Sequence, residues 1–140
     1  MRNVYKGIGI SVAALTLAVT LPASAEADTL DPSCSTTGAN GTVHVPGFIH
    51  GATTIHVGLS VYDSLADGHH VRVRLITKDA NKNYTYWKWH ANTDGKGALL
   101  SWDTTASDGN GIINVAAEVA RFEGDTLLNS CTDWALGQTP

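Results

Sequence analysis

The chain has 140 residues, 43% of them hydrophobic and 16% charged, with a formal net charge of −4 at pH 7. An acidic chain without a lysine and arginine cluster lacks the basic footprint by which nucleic-acid binders hold phosphates. It also lacks the polybasic patch that draws a protein to anionic lipid, so neither nucleic acid nor a membrane surface is an expected partner.

Residues 1–25 have the order of a cleaved secretion leader. Arg2 and Lys6 come first, then the apolar run from Gly7 to Leu21, then Pro22 and the small-residue exit Ala23-Ser24-Ala25. That run is too short for a permanent span, which needs about 20 apolar residues. The expectation is a secreted, extracellular protein with no membrane insertion after cleavage. The alanine-rich leader is of a bacterial kind. Cleavage removes Arg2 and Lys6, takes the formal charge to −6, and leaves residues 26–140 as a single domain. A domain of that size buries roughly two-thirds of its unfolded surface.

The stretch from Glu26 to Asn40 is rich in Ser, Thr, Asp and Gly, and reads as a loosely structured arm. It is tied down at Cys34. The second cysteine is Cys131, and two cysteines in an exported chain most simply form one disulfide. Neither cysteine has a neighbour that would lower its pKa, so a structural staple is favoured over a reactive thiol.

Period-2 segments follow, separated by turn residues. Thr42 to Val45 opens the series. Ile55, Val57, Leu59 and Val61 alternate with small or polar residues, as do Val71, Val73 and Leu75, and then Ile113, Val115, Ala117 and Val119. Such alternation marks half-buried strands. Tyr84 to His90, Ala98 to Asp103 and Thr126 to Trp134 are further strands. Asn40-Gly41, Asp67-Gly68, Asp79-Ala80-Asn81, Asp94-Gly95 and Asp108-Gly109-Asn110-Gly111 carry turn chemistry. Val115 to Arg121 has alanines that suit a helix, but its strict alternation favours a strand. These segments predict an all-β protein: one immunoglobulin-like or related antiparallel β-sandwich of about seven to eight strands, its terminal segments joined by the disulfide.

The densest chemical feature is Tyr84-Thr85-Tyr86-Trp87-Lys88-Trp89-His90. On a continuous strand, Tyr84, Tyr86, Lys88 and His90 share one face while Thr85, Trp87 and Trp89 share the other. Flat rings stack on the apolar faces of sugars, so Tyr84, Tyr86, Lys88 and His90, with Trp102, form the candidate ligand-binding set. Trp87 and Trp89 read as core.

Six histidines are the second feature: His44, His50, His56, His69, His70 and His90. His44 and His56 fall on outward positions of neighbouring strands, a placement compatible with Zn²⁺ or Cu²⁺. No metal-ligand motif accompanies them, and solvated surface histidines are the plainer reading. Gly58-Leu59-Ser60-Val61-Tyr62 lacks the closing glycine of a nucleophile elbow. Most carboxylates sit at turns, where they shape the backbone. The loops at Asp79 and Asp108 do not match an EF-hand. Asn40-Gly41-Thr42 and Asn83-Tyr84-Thr85 fit the glycosylation pattern, which matters only in a glycosylating host. No catalytic residue, metal ligand or cofactor is assigned.

The expected function is therefore a secreted, non-enzymatic binding module for extracellular polysaccharide or cell-surface glycan. The alternative is a secreted protein-binding module, such as a protease inhibitor or a cell-surface interaction protein, working through loops such as Ser64 to His69 or Asp103 to Asn110. A histidine-based metal protein or a hydrolase ranks below both.

Overall fold

The computed structural model describes residues 27–135, so the leader lies outside the described residues. Among the described residues the regular elements are nine strands: β1 (Asp28–Leu30), β2 (Ser33–Thr36), β3 (Ala39–Phe48), β4 (Ala52–Asp63), β5 (His70–Asp79), β6 (Tyr84–Tyr86), β7 (His90–Asn92), β8 (Leu99–Glu123) and β9 (Thr126–Ala135). They form one antiparallel sheet in the order β1-β3-β4-β8-β5-β6, with β2 also on β3, β7 on β5 and β9 on β8. Val115 to Arg121, where alanines raised the helical alternative, lies within β8.

Strand β8 organises the sheet. Its first part, Leu99 to Ser107, pairs with β4, and its last part pairs with β5 and β9. Ile112 is the changeover, paired to both Ala52 and Asp79, and the register slips beside it on both partners. The Asp108–Gly111 cluster is thus no turn. It is an irregular stretch inside one long strand, and the strands expected at Ala98–Asp103 and Ile113–Ala120 are one element. Gly111 has φ +81°, and a Cβ there would stand 2.5 Å from the carbonyl oxygen of Gly51. Only glycine tolerates both demands.

Asn40-Gly41 is likewise not a turn. It lies inside β3, and the chain reverses at Thr37-Gly38 instead. Gly41 is needed for closeness: a Cβ would meet Val119 Cγ2 at 2.6 Å and the Ser60 carbonyl oxygen at 2.9 Å.

The segment expected as a loose arm carries β1 and β2. Leu30 and Pro32 are buried, and the Pro32 carbonyl accepts the Val43 N–H at 2.9 Å. These two strands and the division of Tyr84–His90 into β6 and β7 add three elements, the merger into β8 removes one, and the count is nine instead of seven to eight.

The alternating residues are the core. Val43 and Val45, Ile55 to Val61, Val71 to Leu75, and Val115, Ala117 and Val119 form one buried cluster with Leu30, Phe48 and Ile112. Removing such apolar area from water contributes roughly 25 cal/mol per Å². The Cys34–Cys131 bridge, with Cα atoms 6.1 Å apart, joins β2 to β9 as expected of the terminal segments. Around it the Asn129 amide donates to Thr36 Oγ1 at 2.7 Å and to the Thr37 carbonyl at 3.0 Å, while Asp133 accepts the Ser33 N–H at 3.0 Å.

Candidate binding surfaces

The valines and Leu75 of β5 face the core, so His70, Arg72, Arg74, Ile76 and Lys78 face the opposite side. Directly paired residues share a face. The ladders set Tyr86 opposite Ile76, Ile76 opposite Ala116, and Ala116 opposite Trp134, a row across β6, β5, β8 and β9. Tyr84 pairs with Lys78 in the next row. Ile76 and Ala116 are 3% and 0% exposed, covered by the larger side chains around them.

Above this floor, rings and cations interleave. Tyr84 meets Trp134 edge-on with centroids 5.6 Å apart, and Lys78 Nζ lies 5.5 Å from the Tyr84 centroid. The Arg74 guanidinium carbon is 4.8 Å from the Tyr86 centroid and 4.3 Å from that of Trp89. Trp89 in turn meets Phe122 edge-on at 5.4 Å, and Arg72 lies 4.1 Å above Phe122. Cation–π contacts of this kind contribute about 0.5–1 kcal/mol each at exposed sites and fix ring orientation. Each arginine also has an acid: Arg74 Nε donates to Glu118 Oε2 at 2.6 Å, and Arg72 Nη2 donates to Asp125 Oδ1 at 2.9 Å. Burial, then the Arg72 guanidinium, lower the pKa of His70. Its neutral ring accepts the Arg72 Nε–H at 2.9 Å. Tyr84 and Tyr86 remain 53% and 59% exposed.

The five candidate residues do not share one face. β6 ends at Tyr86, the chain leaves the ladder over Trp87 to Trp89, and alternation restarts in β7 with a new phase. Trp87 turns toward the core, donating Nε1–H to Thr77 Oγ1 at 3.0 Å. Trp89, expected in the core, lies on the outer surface against Arg74. His90 pairs with inward-facing Val73, and its ring lies 5.1 Å from that of Trp102.

Tyr84 and Tyr86 therefore belong with Arg74, Lys78, Trp89 and Trp134. Lys88, His90 and Trp102 belong to the opposite side. There Lys88 and His90 border a cleft of about 280 Å³ with Leu59, Leu75, Trp87, Thr104, Thr105 and Ala106. Burial, then the Lys88 charge, lower the pKa of His90. Sequence reasoning did not place Arg74 at the site and left open which side Trp134 joins. The alternation of β5 held a signal for Arg74, whereas Trp134 depends on the register between β8 and β9.

The remaining histidines are dispersed. His44 and His56 are exposed on β3 and β4 and border a shallow dent with Pro46, Gly58 and Asp103. His44 Nδ1 is hydrogen-bonded to Asp31. His69 reaches Glu123 at 3.1 Å at a different end of the strands. Among the described residues no three or more His, Cys, Asp or Glu side chains are grouped so as to hold a metal ion. Several acids brace the nearby backbone: Asp63, Asp67 and Asp79 accept the N–H groups of Leu65, His69 and Asn83 at turns and loops, and Asp108 accepts that of Asn110 within the irregular stretch of β8.

The chain matches no protein-family model, no curated protein and no solved structure.

Proposed function

We propose that this chain is a secreted, non-enzymatic binding module, built as a two-layer sandwich of the immunoglobulin-like general type, that holds extracellular polysaccharide on the Tyr84–Tyr86–Trp134 face. The observation that carries this reading is the pair of solvent-facing rings, Tyr84 and Tyr86, beside Trp134 and braced from below by Lys78 and Arg74. Rings held in place before a ligand arrives lose little freedom on binding, so more of the stacking energy appears as affinity. Their hydroxyl groups add hydrogen bonds at the edge of each sugar. Export rests on the leader, and the Cys34–Cys131 bridge suits an oxidising compartment. Lys88, His90 and Trp102 have no part in this face.

The test is retention on insoluble cellulose, chitin and peptidoglycan, followed by titration with soluble oligomers of whichever polymer retains the protein. Tyr86→Ala is expected to weaken retention while Trp102→Phe leaves it unchanged. Failure to bind any of the three polymers would remove the polysaccharide reading.

A further inference from the structure

Among the described residues, the long strands β3, β4 and β5 have strand partners on both sides. β3 is flanked by β1 and β2 and β5 by β6 and β7, while β9 pairs with β8 alone and is tied to β2 only through the disulfide and the Asn129 and Asp133 side chains. Leu99 to Ser107 of β8 pairs with β4 on one side, and among the described residues no strand pairs with its other side. Its register with β4 runs without a slip from Leu99 to Ser107. It holds no proline, lysine or arginine. Those are the usual devices that stop an edge from recruiting another strand.

The cleft lies along this edge. Thr104 is paired to Val57 and Ala106 to Ile55, both core residues, so their side chains take the inward side. Thr105, whose side chain takes the other face, also lines the cleft, which places the edge itself in the wall. Leu59, Leu75 and Trp87 supply apolar lining, and Lys88 adds a cation. Asp103, the one charged residue from Leu99 to Ser107, takes the opposite side: it pairs with Gly58, on the face of His44.

We infer that the free edge of β8 at Trp102 to Ala106 is a second binding site, taking an extended acidic peptide as an added strand. The free edge offers alternate N–H and C=O groups, which an extended peptide pairs in register and a sugar or acyl chain does not. Every second side chain of the peptide falls on the cleft side. An aliphatic residue there covers Leu59 and Leu75, and an acidic residue two positions away meets Lys88. Residues of the other parity lie near Asp103 and must be uncharged. This site is separate from the Tyr84–Tyr86 face and does not depend on the polysaccharide reading.

The probe is the blocked heptapeptide acetyl-Thr-Glu-Thr-Val-Thr-Glu-Thr-amide, titrated into isotope-labelled protein. Amide shifts are expected at Trp102 to Ala106 and Lys88 to His90, with slowed hydrogen exchange along the edge. Two analogues, N-methylated on odd or on even positions, decide the mode. In an added strand only one parity faces β8, so one analogue loses binding and the other keeps it. Lys88→Glu is expected to weaken the probe by about two- to five-fold, the scale of a partly exposed ion pair, and to favour the version with lysines in place of glutamates. Tyr86→Ala leaves peptide binding unchanged. No shifts up to the solubility limit of the peptide, shifts centred on Tyr84 and Tyr86, or equal behaviour of the two methylated analogues would each overturn the site.

Discussion

Arg74 donates its Nε–H to Glu118 on the neighbouring strand at 2.6 Å, and its guanidinium lies between the rings of Tyr86 and Trp89. One side chain thus binds the sheet together and braces the proposed platform. Arginine suits this role because its planar, delocalised cation can stack and donate in a fork at once.

Arg74→Ala leaves the Glu118 carboxylate largely buried and without its cation. A fully buried pair broken in this way costs about 3–5 kcal/mol, and because this pair keeps some contact with water, about 2–3 kcal/mol is expected. The urea midpoint measures it. Removing both charges with Arg74→Met and Glu118→Gln together should cost less than Arg74→Ala alone. The double variant, if stable, should still lose affinity for any retained polysaccharide, because Tyr86 and Trp89 lose their brace.

Gly41 tests the approach of β3 to β8. In Gly41→Ala the new methyl meets Val119 and the backbone oxygen of Ser60, and a backbone oxygen cannot rotate away. Overpacking of this kind costs about 1–3 kcal/mol. Gly109→Ala, where nothing lies within 4 Å of the added Cβ, should stay within about 0.5 kcal/mol. Equal midpoints for the two variants would contradict the close approach.

These two glycines show what was legible in the sequence. Alternation at Val43–Val45, Ile55–Val61 and Val71–Leu75 named core residues correctly, because period-2 burial is a local property. Gly41 and Gly111 were misread as turns because their requirement is tertiary: the one faces Val119 and the other abuts Gly51. A glycine within a strand pattern also signals a bulge or a close backbone approach. The candidate site divided for a related reason. Assigning Tyr84, Tyr86, Lys88 and His90 to one face assumed an unbroken strand, and the break at Trp87 to Trp89 reset the phase. Trp134 joins Tyr84 only through the pairing of β9 with β8, which no local pattern encodes.

The disulfide closes a separation of 97 residues. In the chain-entropy account such a bridge contributes about 4–5 kcal/mol, and measured values often fall short. Replacing both Cys34 and Cys131 with alanine should lower stability by about 2–5 kcal/mol while the far-ultraviolet circular dichroism stays that of a β-protein. The Asn129 and Asp133 bonds keep β2 near β9, so the fold should survive at low temperature. Loss of all β signal in this variant would show that the bridge, and not the core, holds the ends together.

Acid should destabilise the protein through His70 and His90. Burial lowers the pKa of each below the ordinary histidine value, helped by Arg72 at His70 and by Lys88 at His90. The folded state therefore binds fewer protons than the unfolded state just below about pH 6.5. Their contribution is fully present above that pH and is lost as pH falls toward the folded values. Unfolding by urea at about pH 7.5, 6 and 5 should show falling midpoints. His70→Gln with His90→Gln should flatten the decline, since glutamine at position 70 can still accept from Arg72 and carries no proton equilibrium in this range. An unchanged slope in the double variant would assign the acid sensitivity to other groups and leave these two rings with a packing role against Phe122 and Trp102.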